Sequence, residues 1–131
     1  MDEKLTDEEL ERLVGAWIAH EIAPEGSPES EANWWAHTRV LEWSIVDAKP
    51  ELLWQFVAAA YKREMPDTAF AVLAAGPMED LLAHHGPDYI DRVEELARKD
   101  PKFNRLLGGV WKNSMTDEIW HRVQAIRKEV W

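Results

Sequence analysis

Apolar residues recur along this chain at the three- and four-residue spacing of amphipathic helices. Thr6 and Glu9 form a capping box before the first such pattern, which ends near Ala23. Proline is tolerated in the first turn of a helix but disrupts its interior. Further helix starts are therefore predicted near Pro28, Pro50, Pro66, Pro77, Pro87 and Pro101, and after Ser114 or Thr116. No segment alternates at period two, so we predict an all-α fold of seven or eight helices.

The second predicted helix, residues 28–46, is apolar on nearly every side, which is typical of a helix that is central in a fold. We expect its Trp34, Leu41 and Ile45 face to be buried, with Val40 and Trp43 on the opposite face. The predicted core of the whole chain comprises Leu10, Val14, Trp17, Trp34, Leu41, Ile45, Leu52, Phe56, Phe70, Leu73, Leu81, Ile90, Val93, Phe103, Val123 and Ile126.

The length of 131 residues predicts a single helical domain over residues 1–131. Two architectures fit the series of short helices. One is a compact orthogonal bundle, and the other is a short HEAT-like α–α array. A strict repeat of residues would indicate the array, and no such repeat is present. The series of short helices fits a bundle equally well, so it does not choose between the two architectures.

The charge distribution bears on the kind of partner. The chain has 25 acidic and 15 basic residues, and its net charge of −10 excludes sequence-independent nucleic-acid binding, which needs a basic surface. Residues 1–33 hold ten acidic and two basic side chains. We predict that Glu8, Glu9 and Glu11 form an acidic face that steers a basic partner. The alternative is that this acidic surface only keeps the protein soluble.

The absence of cysteine excludes disulfides, thiolate metal sites and a cysteine nucleophile. The longest apolar run, residues 56–61, is too short to cross a membrane. The N-terminus lacks the basic start and apolar block of a signal peptide, so we expect a cytoplasmic protein that binds no membrane.

A familiar pattern occupies residues 74–111. Its segments are Ala74-Ala75-Gly76-Pro77-Met78, Glu79-Asp80-Leu81-Leu82, His85-Gly86, Ile90-Asp91-Arg92-Val93-Glu94, Asp100-Pro101-Lys102-Phe103 and Leu107-Gly108-Gly109-Val110-Trp111. This pattern resembles a family of small bacterial proteins that is catalogued only as a domain of unknown function. The resemblance implies a bacterial or phage origin and an all-α fold. It implies no activity, cofactor or catalytic residue.

Known catalytic motifs are missing from the sequence. There is no pair of histidines with zinc-hydrolase spacing, no nucleophile elbow and no phosphate-binding loop. Glu118 and His121 supply only half of a di-iron motif. A further group could offer metal ligands: Asp80, His84, His85, Asp88 and Asp91. Favourable charge positions at helix ends explain several members of this group without a metal, so we predict no metal and no cofactor. Because the catalytic motifs are missing, we also predict no enzymatic activity.

Tryptophan is the most unusual component, with eight residues in the chain. In the last predicted helix, Ile119, Val123, Ile126 and Val130 form the buried stripe. A second flank of the same helix carries Trp120, Gln124, Arg127 and Trp131. We predict that this flank binds a partner, since Trp and Arg are enriched at interface hot spots, and that Arg127 can stack on an indole. The alternative is packing inside the fold, and a homodimer is one form of the interface.

Together these patterns favour a non-enzymatic protein-interaction module. Its most concrete form is an acidic inhibitor of a basic partner, such as an immunity protein, an antitoxin or an anti-defence protein. The alternative from another class is a small-ligand-binding or regulatory protein with an aromatic-lined pocket between helices.

Overall fold

The fold is all-α, as predicted. In the computed structural model, which describes residues 3–131, 74% of the chain is helical and the described residues form no strand. Its α-helices are α1 Asp7–Ile22, α2 Pro28–Leu41, α3 Pro50–Ala60, α4 Asp67–Leu73, α5 Glu79–Lys99, α6 Pro101–Leu107 and α7 Asp117–Ile126. Two π-helical segments, Glu42–Val46 and Ala74–Met78, extend α2 and join α4 to α5. None of the helices in residues 3–131 has the length and apolar composition that crossing a membrane requires.

The chain divides between Ala69 and Phe70 into two compact units, called unit 1 and unit 2 below. Unit 1 contains α1 to α3 and unit 2 contains α5 to α7, with α4 beginning at the end of unit 1. The single domain over residues 1–131 stays a prediction.

In unit 1, α1 begins where the capping box predicts. The Thr6 hydroxyl accepts a hydrogen bond from the Glu9 amide at 3.1 Å, and the Glu9 carboxylate accepts one from the Thr6 amide at 3.1 Å. Trp17 of α1 packs edge-on against Phe56 of α3, with ring centroids 5.4 Å apart. Both side chains are buried, so this contact lies in the core of unit 1.

The buried face of α2 is the one we did not predict. The structure buries Ala36, Val40 and Trp43 and leaves Trp34, Leu41 and Ile45 exposed. Both faces satisfy the 3.6-residue period, so periodicity alone does not choose between them. The small side chain of Ala36, which is fully buried, leaves room for the neighbouring helix. The three exposed residues are therefore removed from the predicted core.

In unit 2, the helices predicted to start at Pro77 and Pro87 are not separate. Pro77 lies within the π segment, and the chain stays helical from Asp67 to Lys99. The second predicted break is a kink, where His85 adopts φ −135° and ψ 23° just before Gly86 and Pro87. The wider turn and the kink accommodate prolines that would disrupt a regular α-helix.

The last helix is shorter than predicted. Its cap at Thr116 is confirmed, since the Thr116 hydroxyl accepts a hydrogen bond from the Ile119 amide at 3.3 Å. It ends at Ile126, because Arg127 takes an extended conformation with φ −72° and ψ 141°. Residues 127–131 are non-helical, and Val130 is exposed rather than part of a buried stripe.

Candidate functional site

The candidate site lies on the helical hairpin of α1 and α2 in unit 1. The loop between them is short because Gly26 adopts a positive φ of 76°, and because the Ser27 hydroxyl caps α2 by accepting from the Ser30 amide at 3.1 Å. The two helices pack against each other. Polar residues in the last turn of α1 are thereby brought beside the first three turns of α2.

Three aromatic rings meet at this junction. The ring centroids of His20 and Trp34 are 5.3 Å apart, those of His20 and His37 are 5.0 Å apart, and those of Trp34 and His37 are 5.0 Å apart. His20 and His37 are half-buried, whereas Trp34 is 55% exposed. The indole therefore packs against both imidazoles and is at the same time accessible to solvent.

Hydrogen bonds orient both imidazoles. His20 Nδ1 lies 3.0 Å from the backbone carbonyl oxygen of Ser30. His37 Nδ1 lies 3.2 Å from Oε1 of Glu21, which is the neighbour of His20 in α1. Among residues 3–131, the His20, Glu21 and His37 group brings three His, Asp or Glu side chains close enough to hold one metal ion, with ligand atoms within 4.8 Å of one another.

An open cavity of about 550 Å³ adjoins these rings, and we call it the histidine cavity. His20, Ser30, Trp34 and His37 form its wall, and Glu25 and Glu31 add two carboxylates. No lysine or arginine is among the described residues that line it. The cavity therefore combines an aromatic wall with a negative rim, which is an environment that favours a cation.

Four apolar side chains are exposed on α2 and its π segment. They are Trp34, Leu41, Ile45 and Val46, of which the first three share one helix face, and we call them the apolar stripe. Val46 at its far end is 78% exposed. In the π segment, the Asp47 amide donates to the Glu42 carbonyl at 2.8 Å, so the turn is wider than in an α-helix. This turn buries Trp43 and leaves Ile45 and Val46 directed outwards.

The negative charge of the protein is concentrated on the unit that carries the stripe. Unit 1 has fifteen acidic and six basic residues, a net charge of −9, whereas unit 2 has ten and nine, a net charge of −1. Glu31, Glu42 and Asp47 are exposed and lie along the same segment as the stripe. The apolar stripe therefore lies among more exposed carboxylates than exposed cations, of which Arg39 is one, and on the more acidic of the two units.

The predicted ridge of the last helix is not continuous. Trp120 and Gln124 lie in α7, but Arg127 and Trp131 lie beyond the end of that helix, so the geometry on which the ridge was based is wrong. The stacking of Arg127 is confirmed, with its guanidinium carbon 4.8 Å from the centre of the Trp120 ring. Burial lowers the pKa of Arg127, whose guanidinium also donates to the Val110 carbonyl at 3.0 Å.

Trp131 is bound within unit 2. Its ring N–H donates to the Arg105 carbonyl at 2.7 Å, and its backbone amide donates to the Gly108 carbonyl at 3.0 Å. The side chain is nevertheless 43% exposed. The partner-binding role of Trp120, Gln124, Arg127 and Trp131 stays a prediction, but the three large side chains of this set, Trp120, Arg127 and Trp131, already make contacts within their own unit.

The predicted acidic face has two exposed members with no role in capping. Glu8 and Glu11 are exposed on α1. Glu9 is exposed as well, but its hydrogen bonds with Thr6 complete the capping box and lower its pKa. Glu9 therefore has a structural role, and a test of steering needs only Glu8 and Glu11.

The group around the kink of α5 does not assemble as a metal site among the described residues. Asp80, His84, His85, Asp88 and Asp91 do not bring three ligand atoms together. Burial raises the pKa of Asp80, an effect that His84 partly offsets. Asp91 instead contacts Arg122 of α7, at 2.6 Å.

Sequence reasoning missed the His20, Glu21 and His37 group because no motif spacing joins α1 to α2. Two signals were present in the chain. The short loop Pro24-Glu25-Gly26-Ser27 predicts that the two helices fold back on each other, and His20-Glu21 lies just before that loop. A histidine two turns into the following helix lies within reach of the same helix end.

The fold and the site thus define an all-α protein that has a histidine cavity and an apolar stripe. The chain belongs to a family of unknown function, DUF6869, whose family model matches residues 23–130. The match confirms the resemblance over residues 74–111 and extends it to most of the chain. Trp34 and His37 lie in the matched segment, and His20 and Glu21 precede it. No curated protein and no solved structure matches the chain.

Proposed function

We propose that this protein is a non-enzymatic protein-interaction module that binds a basic partner protein through unit 1. The observation that carries this proposal is the apolar stripe of Trp34, Leu41, Ile45 and Val46. Large apolar side chains grouped on one exposed face mark sites of interaction. Trp34 is the expected anchor, because tryptophan is among the residues most enriched at interface hot spots.

The charge of unit 1 supports a partner with a basic rim around an apolar centre. Exposed Glu31, Glu42 and Asp47 beside the stripe would meet lysine or arginine side chains of such a partner. Opposite charges accelerate encounter, and buried apolar anchors slow dissociation. The concrete form that we propose is an inhibitor of a basic enzyme, in the manner of an immunity protein, an antitoxin or an anti-defence protein.

The test compares three proteins. The first is the wild type, and the second is the stripe variant Leu41→Ser with Ile45→Ser. The third is the matched control Val72→Ser with Trp111→Ser, which changes two exposed apolar side chains of unit 2. Each protein is used to capture partners from an extract of the source cells, and the basic partner is then purified. Its affinity for each protein is measured by calorimetry.

We expect the stripe variant to melt like the wild type and to lose at least about tenfold in affinity, while the control binds normally. Equal affinities of all three proteins would contradict the proposal. Sedimentation of the wild type without a partner protein tests whether it forms a homodimer. A dimer that the stripe variant converts to a monomer would assign the stripe to self-association instead. Trp120→Ala, measured in the same way, tests the predicted surface of unit 2.

A second candidate function is the binding of a small organic cation, which the histidine cavity favours. Its volume falls in the range of ligand sites, and an indole face beside carboxylates suits an ammonium group. We expect tetramethylammonium, added in the presence of a chelator, to raise Tm and to change the fluorescence of the wild type but not of Trp34→Leu. Identical titrations of the two proteins would contradict this candidate.

A further inference from the structure

The ligand atoms of His20, Glu21 and His37 lie within 4.8 Å of one another, at one end of the α1–α2 hairpin. The hydrogen bond between Glu21 and His37 accounts for only two of these side chains. It does not explain why a second imidazole points into the same place. The three residues come from two helices, so their approach depends on the fold rather than on local sequence.

The hydrogen bond of His20 leaves one ring nitrogen available as a ligand. A backbone carbonyl can only accept, so the hydrogen bond of 3.0 Å to the Ser30 carbonyl oxygen requires a proton on His20 Nδ1, and the Ser30 hydroxyl oxygen lies 3.4 Å from the same nitrogen. In the neutral form of the ring, Nε2 then has a free lone pair. Histidines that bind metals are held in this way, with the second nitrogen donating to a carbonyl or a carboxylate.

The spacing of the other two groups fits a small ion. His37 Nδ1 and Glu21 Oε1 are 3.2 Å apart. Two ligands at bonds of about 2.0–2.1 Å in a tetrahedral zinc site lie about 3.3–3.4 Å from each other. The two atoms are therefore about as far apart as two ligands of one zinc ion, and the ion would take the place of the hydrogen bond between them.

We propose that His20, Glu21 and His37 bind one divalent transition-metal ion, of which Zn²⁺ is the expected one. Two imidazoles and one carboxylate suit zinc and related ions, whereas Mg²⁺ prefers an oxygen-only set. The fourth position of a tetrahedral ion would open to the histidine cavity, where Glu25 and Glu31 add negative charge. The site adjoins the apolar stripe at Trp34, but none of its three ligands belongs to the stripe, and the stripe variant changes only Leu41 and Ile45, so either proposal can fail alone.

The experiment titrates chelator-treated protein with Zn²⁺, and with Mg²⁺ as the control ion, by calorimetry. We expect one Zn²⁺ per chain and no binding of Mg²⁺. His20→Ala and His37→Ala should each weaken Zn²⁺ binding at least about tenfold. His84→Ala and His121→Ala are matched controls, since both remove an exposed histidine of unit 2, and both should bind like the wild type.

A second measurement keeps the test valid if a histidine variant unfolds. Trp34 lies 5.0 Å from His37 and 5.3 Å from His20, so a paramagnetic Co²⁺ ion at the site should quench its fluorescence. Trp34→Phe should bind Co²⁺ with less quenching. A wild type that binds no Zn²⁺, or one whose binding persists in both His20→Ala and His37→Ala, would overturn the proposal. Quenching that is unchanged in Trp34→Phe would also overturn it.

Discussion

The charged cluster of Arg122, Glu94 and Asp91 shows how single residues connect α5 and α7 within unit 2. The Arg122 guanidinium donates to both oxygens of Glu94, at 3.0 Å and 2.5 Å. These hydrogen bonds, more than the charges themselves, lower the pKa of Glu94. Asp91 adds a third contact from a mostly exposed position, so we attribute most of the stabilisation to Glu94.

The pKa of Glu94 predicts a loss of stability in acid. Because the folded pKa lies below the ordinary value of 4.5, the contribution of the pair is complete above pH 4.5 and is lost as the pH falls through the lowered value. Glu94→Gln should lower the free energy of unfolding by about 1 kcal/mol at neutral pH and by less in acid. The loss is small because solvent screens Arg122. Urea unfolding at several pH values measures the loss under both conditions. Glu95→Gln removes an exposed pair with Lys99 and should change stability less.

Gly108 and Gly109 leave the space that the Trp131 indole occupies in unit 2. A Cβ on Gly109 would lie 2.5 Å from Cη2 of Trp131 and 3.0 Å from the Cβ of Ala74. Gly109→Ala must therefore displace the indole, and we expect a loss of about 1–3 kcal/mol in the free energy of unfolding. In a Trp131→Ala background, the same substitution should cost less than half as much. Urea unfolding measures both losses. Equal losses in the two backgrounds would show that the Trp131 indole does not lie against Gly109.

At the scale of elements, α2 offers a direct comparison of two tryptophans on its two faces. Trp43 is 7% exposed and Trp34 is 55% exposed. Trp43→Ala should lower the free energy of unfolding by about 3–5 kcal/mol, because it leaves a cavity in the core of unit 1. Trp34→Ala should cost much less. Thermal and urea unfolding of both variants measure the difference, and the reverse order would mean that the originally predicted face is buried.

The same helix shows what local sequence predicts and what it does not. The caps at Thr6, Ser27 and Thr116 were predictable because a cap depends on side chains within three residues. The buried face of α2 was not, since two apolar faces competed and the fully buried Ala36 carried little signal. Helix faces depend on the shape of the neighbouring helix, which periodicity does not contain.

The candidate site was beyond sequence reasoning for a related reason. His20 and Glu21 are seventeen and sixteen residues from His37, and no motif spans that interval.

The end of α7 also depended on distant residues. Buried Asn104 accepts from the Lys128 amide at 2.9 Å and donates to the Ile126 carbonyl at 2.9 Å. These bonds hold residues 126–128 against α6, which a continued helix would not allow.

At the scale of the whole molecule, the uneven charge separates steering from simple solubility. Unit 1 carries a net charge of −9 and unit 2 of −1. If the acidic surface only kept the protein in solution, the location of a charge change would be unimportant. If it steers a basic partner to unit 1, charges there should affect the association rate more than equal charges in unit 2.

Charge reversal distinguishes these two roles. Glu8→Lys with Glu11→Lys and the control Asp88→Lys with Glu118→Lys both raise the net charge by four, the first in unit 1 and the second in unit 2. Glu9 is kept, because its replacement would break the capping box of α1. With the purified basic partner, we expect the unit 1 variant to associate several-fold more slowly and with a weaker salt dependence, while its dissociation rate stays nearly unchanged. Stopped-flow measurements at two salt concentrations test this. Equal slowing in both variants would mean that only the total charge acts and that Glu8 and Glu11 have no special position.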